Sequence, residues 1–186
     1  MRSIYLVLTQ TGSVLSSAIK IATGKKYNHV SLSFDDSLHE MYSFGRKYPY
    51  NPFIGVFVVE SINKGTYLRF KNTSCMVIEI PISDEKFDRL YSNVMDMVYN
   101  KDKYKYNVKG LFLAKFDIYA KYENRFYCSE FVRYVFDISG IDVSMIPNIV
   151  HPMDFLNMDY NLVYEGLLKD YESEKMRENV LQKVSQ

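Results

Sequence analysis

The chain contains 186 residues, of which 47% are hydrophobic and 24% are charged. These values are typical of a globular protein and predict a single domain over residues 1–186, with a hydrophobic core that needs no disulfide bonds. The formal net charge is +1, and the lysines do not form a basic arm. The composition therefore gives no reason to expect a nucleic-acid partner.

Cysteine usage excludes several kinds of site. The only cysteines are Cys75 and Cys128, too few for a disulfide framework and without the CxxC spacing of a zinc site. No cluster of Asp, Glu and His has metal-ligand spacing, and the sequence has no glycine-rich phosphate loop. The apolar run Ile4–Leu8 is too short for a signal peptide or a membrane span. We therefore expect a cytoplasmic protein without a metal or cofactor.

The first half of the chain predicts mainly β-strands. Tyr27–Phe34 alternates apolar and polar residues and is the clearest strand. A turn at Asp35, Asp36 and Ser37 makes it the first arm of a hairpin. A helical segment is expected from Ser13 to Ile21, and a loop from Gly45 to Gly55. The other strand-like runs are Ile4–Thr9, Leu38–Phe44, Val56–Ser61, Thr66–Phe70 and Cys75–Ile82.

The second half of the chain predicts mainly helices. Ser83–Tyr99 begins with a serine suited to the N-cap and continues with acidic residues in its first turn. Strands followed by helices are typical of an α+β fold, in which an antiparallel sheet packs against helices. The other predicted segments are a helix at Val108–Tyr122, a turn or short helix at His151–Leu156, a strand at Asn161–Glu165 and a charged, solvated or frayed helical tail at Lys169–Gln186.

The stretch NRFYCSEFVRYVFDISG, residues 124–140, predicts an amphipathic helix with a cysteine at its N-terminal end. Gly140 is suited to the position after the helix, whereas the first helical residue is open between Phe126 and Ser129 and no capping box is visible. The N-terminus of a helix stabilises a thiolate, so Cys128 is a candidate nucleophile. The alternative is a buried cysteine that only packs. The apolar stripe consists of Phe131, Val132, Val135 and Phe136.

His29, in the strand YNHVSLSF, is the candidate base. Ser31 and Ser33 lie on the same face of that strand and are small enough for a helix to pack closely against it. An imidazole within hydrogen-bond reach of a thiol can take its proton and later return it to a leaving group. The alternative is a structural histidine on a strand.

The residue that orients the base depends on the hairpin register. A two-residue turn would pair Ser31 with Glu40 and bring Glu40 to the face of His29, whereas a three-residue turn would pair Ser33 with His39. We favour Glu40, because a carboxylate accepts from the imidazole N–H and stabilises the imidazolium. A solvent-facing Glu40 is the alternative.

Three stretches resemble a known family. YNHVSLSF, FYCSEFVRYVF and LTQTGSVLSSAIKIATGKK are similar to the circularly permuted papain-fold branch of the NlpC/P60 superfamily, the YaeF/YiiX-like cysteine hydrolases. In ordinary papain-like enzymes the cysteine precedes the histidine, whereas here the histidine strand comes first, as in the lecithin retinol acyltransferase relatives. The resemblance covers Ile4 to Tyr164 and implies a permuted papain-like fold.

The resemblance also implies roles for individual residues. Cys128 matches the nucleophile, His29 the base and Glu40 the polar third position, with His39 adjacent to it. The backbone N–H of Cys128 would contribute to the oxyanion hole.

These features together predict a cysteine hydrolase of the amidase or peptidase type. Its substrate would be a peptide, an amide or an acyl ester, and it would form a thioester on Cys128. An acyltransferase or lipid deacylase with the same Cys–His pair is a second interpretation. A catalytically silent papain-fold binding module is a third.

The segment Tyr99–Tyr127 interleaves aromatic residues with six lysines. This pattern is typical of a helix in a membrane interface, and equally of a surface helix whose lysines extend over an apolar face. Because the segment leads into Cys128, we expect it to form a cleft wall or lid. Cys75 is interpreted as structural, and His151 as a cap or turn residue.

Overall fold

The computed structural model describes residues 1–12, 24–48, 50–114, 116, 118–120 and 122–184. These residues form a mixed α+β structure built on a six-stranded antiparallel sheet. The predicted α+β class with an antiparallel sheet is therefore confirmed. The helix predicted at Ser13–Ile21 falls on residues that lie outside the described part of the chain.

Three strands of the sheet lie on one side of β1, and two lie on its other side. The strand order is β4-β3-β2-β1-β5-β8. Two short strands, β6 and β7, pair in parallel apart from the main sheet. The bounds are β1 (Arg2–Gln10), β2 (His29–Ser33), β3 (Met41–Tyr48), β4 (Asn51–Glu60), β5 (Ser74–Ile82), β6 (Lys105–Tyr106), β7 (Arg125–Phe126) and β8 (Asn161–Leu167).

The helices are short, except for α2 and the two that follow β7 and β8. They are α1 (Gly65–Arg69), α2 (Asp84–Tyr99), α3 (Val108–Ala114), α4 (Cys128–Ile138) and α5 (Tyr171–Val184). Short 3-10 helices cover Lys101–Lys103, Pro152–Asn157 and Leu168–Asp170. Within the part of the chain that the structure describes, no helix is long and apolar enough to cross a membrane.

Each face of the sheet contributes to its own hydrophobic cluster, because side chains alternate along every strand. Ile4, Leu6 and Leu8 of β1 belong to the larger cluster, with the apolar stripes of α2 and α4. Val7 belongs to the smaller cluster on the other side, with Tyr171 of α5. The helix that begins at Cys128 is thus packed firmly on one face of the sheet, since its four stripe residues Phe131, Val132, Val135 and Phe136 are fully buried.

Two sequence predictions fail around the middle of the sheet. The loop predicted at Gly45–Gly55 is largely strand, since β3 and β4 stay paired from Met41↔Glu60 to Tyr48↔Asn51. Cross-strand pairing outweighs the glycines and prolines of this stretch. The strand predicted at Thr66–Phe70 is helix α1, which begins at Gly65 with a positive φ of 58°. Its β-branched and aromatic residues do not override a helix held by Phe70 N–H donating to the Thr66 carbonyl.

The sequence predicted the residues at helix ends better than it predicted the lengths of the segments. Ser83 caps α2, and its side chain accepts from the Lys86 N–H, while Gly140 after α4 has a φ of 76°. By contrast, α3 ends at Ala114 and not at Tyr122. The charged tail forms helix α5, but Tyr171 at its start is buried and donates to the Asp36 carbonyl at 2.8 Å. The beginning of the tail is therefore packed and not solvated.

Candidate active site

Helix α4 begins at Cys128, so its thiol and its backbone N–H lie in the first helical turn. Tyr127 precedes the helix, and its N–H donates to the Glu130 carboxylate at 3.1 Å. This contact is one half of a capping box, which the sequence concealed because the residue before the helix is an aromatic residue and not Ser or Thr. The backbone contact between Tyr127 and Glu130 thus holds Cys128, which lies between them, at the start of the helix.

The chain before Cys128 is tied to the start of helix α3 through Asn107. The buried amide of Asn107 donates to Glu130 Oε2 at 3.0 Å, and its Oδ1 accepts from the Gly110 N–H at 2.9 Å. Nearby, β6 and β7 pair in parallel, with Tyr106 opposite Phe126. Glu130 therefore joins the N-terminus of α4 to the N-terminus of α3.

The carboxyl group of Glu130 has a raised pKa. Burial raises its pKa to about 7, although the hydrogen bonds from Asn107 and from the Tyr127 N–H lower it. In the unfolded chain the group titrates near 4.5, so the folded chain binds more protons between these two pH values. The contribution of Glu130 to the free energy of unfolding consequently falls as pH rises from about 4.5 to about 7.

We expect Glu130→Gln to remove this pH dependence. The difference in free energy of unfolding, variant minus unsubstituted protein, should rise between pH 5 and pH 8. The rise should be at most about 3 kcal/mol, because solvent reaches the half-buried carboxyl and weakens the effect. Urea unfolding followed by circular dichroism at both pH values measures it. Glu123→Gln, at an exposed glutamate of the same segment, is the control and should show no such change. An equal response of both variants would contradict the assignment.

His29 and Cys128 meet at one end of the sheet. His29 is the first residue of β2 and Cys128 the first residue of α4, and the thiol lies close enough to the imidazole to raise the pKa of His29. Both side chains line the same cavity. The structure therefore brings the predicted nucleophile and the predicted base together.

The serines beside His29 do not have the role expected of them. Val30 and Leu32, which alternate with the serines, share the hydrophobic cluster of α4. Ser31 instead donates from Oγ to Glu60 Oε2 at 2.6 Å. Small side chains on the face of His29 therefore make room for a carboxylate and not for the helix.

Glu60, the last residue of β4, is the acidic partner of His29. Its Oε2 lies 3.0 Å from His29 Nε2, and the two side chains are only 12% and 19% exposed. The same oxygen accepts from Ser31 and, at 3.4 Å, from the hydroxyl of Tyr67. With Nε2 directed at Glu60, Nδ1 is the nitrogen that can exchange a proton with Cys128.

Gly45 of β3 provides the space for this pair. A Cβ at this position would lie 3.1 Å from Glu60 Oε1 and 3.5 Å from His29 Cε1. A side chain here would crowd the carboxylate and contact the imidazole, so the glycine leaves space for the two to approach across β3.

The pair favours the charged forms of both residues. Burial alone would lower the pKa of His29, but the Glu60 carboxylate and the nearby Cys128 thiol raise it to about 10. Burial alone would raise the pKa of Glu60, but His29 and the hydroxyls of Ser31 and Tyr67 hold it below its usual value. Tyr67 keeps its proton for this hydrogen bond, because burial and the charge of Glu60 raise its own pKa. His29 is thus an imidazolium at neutral pH.

Glu40, the predicted third residue, lies elsewhere. Its side chain is exposed, and its Oε2 accepts from the Tyr42 hydroxyl at 3.1 Å. His39 is exposed as well, with Nε2 2.8 Å from Glu172. The prediction that Glu40 orients His29 is therefore corrected, since Glu60 makes that contact.

The reason for the error is the hairpin connection. Leu32 pairs with Tyr42 and Ser33 with Met41. The connection between the two strands is therefore longer than the two-residue and three-residue turns that were expected. Leu38 within it is fully buried in the smaller cluster with a φ of 57°. Burial of this leucine draws the connection inward, which shifts the return strand along β2 and directs Glu40 away from the face of His29.

The cavity around Cys128 and His29 has a volume of about 460 Å³, within the range of small-molecule sites. Its polar lining residues include Cys128, His29 and Glu60. Most of the remaining wall is apolar. The apolar and aromatic lining residues include Phe44, Val108, Leu111, Phe112, Ala114 and Tyr127.

Cys75 lies outside the residues that line the cavity, whereas His151 is one of them. Cys75 is buried in β5, and burial raises the pKa of its thiol to about 12. His151 precedes the 3-10 helix Pro152–Asn157, with its N–H donating to Asp154 at 2.7 Å, and it also lines the cavity. Among the described residues, no group of three His, Cys, Asp or Glu side chains could hold a metal ion.

Comparison of the chain with protein-family models, with curated proteins and with solved structures finds no match.

Proposed function

We propose that the protein is a cysteine hydrolase of the amidase or peptidase type. The observation that carries this proposal is the series Cys128, His29 and Glu60, in which a thiol, an imidazole and a carboxylate contact one another in that order. Such a series supplies a nucleophile, a proton carrier and a group that orients the carrier. All three residues line one cavity large enough for a substrate.

The order of these elements supports a permuted papain-like fold. The strand that carries His29 comes early in the chain, the sheet follows, and the helix that begins with the cysteine comes after it. This is the order that the resemblance to the YaeF/YiiX-like hydrolases implies, and the antiparallel sheet agrees with it.

In the first half of the reaction, the Cys128 thiolate, paired with the His29 imidazolium, attacks the acyl carbon. A C–S bond forms, and the carbonyl π electrons move to the oxygen, where the Cys128 backbone N–H at the start of α4 stabilises the negative charge. When the oxyanion collapses, the bond to the leaving amine or alcohol breaks. His29 donates its proton to that leaving group, and a thioester remains on Cys128.

In the second half, neutral His29 removes a proton from water, whose oxygen attacks the thioester carbon. Collapse of this second oxyanion breaks the C–S bond and releases the carboxylic acid, and the thiolate and imidazolium are restored. Glu60 stays ionised throughout and holds the imidazole in the required orientation.

A second candidate function is acyl transfer or lipid deacylation by the same residues. The specific observation that favours it is the apolar wall of the cavity, to which Leu111 and Phe112 of α3 contribute. An acyl chain would bury more of this wall than a polar peptide would. In acyl transfer an alcohol or amine replaces water in the second half of the reaction.

The covalent intermediate provides the test. Incubating the protein with p-nitrophenyl acyl esters and with N-acyl amides of increasing chain length, followed by acid quench and intact mass spectrometry, should reveal one added acyl group. Peptide mapping should locate it on Cys128, with the buried Cys75 unmodified as an internal control. The preferred chain length and the ester-to-amide ratio separate the two candidate functions.

The opposite result is equally specific. If no substrate gives an adduct, and if iodoacetamide alkylates Cys128 no faster than free cysteine, the protein is not a thiol hydrolase. A catalytically silent binding module would then be the better interpretation.

A further inference from the structure

Helix α3 and the residues just after it expose a group of large apolar side chains. Between 51% and 63% of the surface of each is exposed, and Phe112 and Phe116 contact each other edge to face at 5.4 Å. Contiguous exposed aromatic and aliphatic groups mark interaction surfaces. We call this group the 108–119 patch; its members are Val108, Phe112, Phe116, Ile118 and Tyr119.

The 108–119 patch borders the opening of the cavity. Val108 and Phe112 line the cavity together with Cys128 and His29, although more than half of each side chain is exposed. A side chain that both lines a cavity and faces solvent lies at its mouth. A molecule that covers the patch would therefore also face the entrance to the site.

Positive charge is concentrated in the same segment of the chain. Residues 99–127 contain six lysines and one arginine against two aspartates and one glutamate, although the whole chain has a net charge of only +1. Lys109 is exposed on α3 itself, and Lys101, Lys103 and Lys105, which precede α3 in the chain, are exposed as well. Apolar side chains interleaved with lysines are the pattern by which proteins bind anionic bilayers.

We propose that the 108–119 patch docks on an anionic lipid surface and brings the cavity mouth against the bilayer. The charge favours this occupant over a second copy of the chain, because two such patches would bring like charges together. Docking depends on the patch alone. The additional consequence, that an acyl ester of a membrane lipid enters the cavity and is cleaved at Cys128, rests on the proposed function.

Flotation of the Cys128→Ala protein with vesicles tests docking without turnover. Vesicles of phosphatidylcholine with about 30% phosphatidylserine should bind it, and pure phosphatidylcholine vesicles should bind it less. The double variant Phe112→Ser/Phe116→Ser on the same background should lose at least about tenfold in partition coefficient. Lys105→Glu/Lys109→Glu should lose binding mainly at low salt, where surface charges are less screened.

The matched control is Leu162→Ser/Met176→Ser, also on the Cys128→Ala background. These side chains are 56% and 67% exposed, but Leu162 lies on β8, the edge strand opposite β4. Its vesicle binding should be unchanged. Circular dichroism and thermal unfolding of all variants show whether each remains folded.

Several outcomes would overturn docking. These are the absence of binding to anionic vesicles, equal loss in the control variant, and a dimer in size-exclusion chromatography that the phenylalanine substitutions dissociate. Stable capture of a protein segment by the patch, with no vesicle binding, would also overturn it. A thioester on soluble esters without vesicle binding contradicts docking alone, whereas vesicle binding without any thioester contradicts the proposed function alone.

Discussion

The Cys128→Ala and His29→Ala variants should each lose about 10³- to 10⁶-fold in kcat/KM, and the double variant should lose no more than the more impaired single variant. The reason is that the two side chains act in the same steps. Without the thiol, no acyl group is transferred to the protein. Without the imidazole, neither the thiolate nor the leaving group has its proton partner. Removing the second residue after the first therefore removes nothing further.

The measurement is steady-state hydrolysis of the ester or amide that gives the strongest acyl adduct. Cys75→Ala is the control for loss of a thiol, because Cys75 lies in β5 outside the cavity-lining residues, and it should retain kcat/KM within about threefold. Thermal unfolding checks that each variant is folded. Losses that multiply in the double variant would mean that Cys128 and His29 act independently, which contradicts the mechanism.

The positions of Cys128 at the start of a helix and of His29 on a strand were predictable because each has a local signal. The repeat of Phe131, Val132, Val135 and Phe136 after Cys128 indicates both the helix and its buried face, and the structure confirms that face. His29 lies in a run with strict alternation. Side chains at the start of a helix and at the end of a strand are directed by those elements, so periodicity is sufficient to identify them.

Glu60 was not predicted, because its approach to His29 depends on the pairing of three strands. The relevant register is set by the buried Leu38 in one connection and by the close turn between β3 and β4 in the next. Neither of these two connections produces a hydrophobic periodicity in the sequence. A weak signal existed, since Glu60 is the only charged residue in the predicted strand Val56–Ser61, and a charge on a buried strand requires a partner.

The sheet was predicted better than its connections for the same physical reason. Alternation over β1, β2 and β5 depends on neighbouring residues, whereas the stretch Gly45–Gly55 depends on the partner strand. Glycine and proline there favour a loop locally, but the pairing from Arg46↔Gly55 onward stabilises strands. Gly45 also has a local role that only the packed structure reveals, because it leaves space for the His29–Glu60 pair.

Glu60→Gln should shift the alkaline limit of activity to lower pH. The mechanism needs the His29 imidazolium to protonate the leaving group, so activity falls as pH rises through the pKa of His29. Glu60 helps to raise that pKa to about 10, and loss of its negative charge should lower it by about 1 to 3 pH units. The amide of glutamine still accepts a hydrogen bond, so we expect a moderate loss in kcat at neutral pH, about 10- to 100-fold.

Glu40→Gln is the matched control, because it makes the same substitution at the residue that the sequence favoured. Its exposed carboxylate contacts Tyr42 and not His29, so its pH–rate profile should coincide with that of the unsubstituted protein. The measurement is kcat/KM from pH 5 to pH 11, with titration of the His29 ring by NMR as an independent reading of its pKa. If Glu40→Gln moves the alkaline limit and Glu60→Gln does not, the carboxylate that orients His29 has been assigned to the wrong residue. If only Glu60→Gln moves it, the effect passes through the imidazole, because a merely structural role for Glu60 would lower activity without displacing the pH at which it is lost.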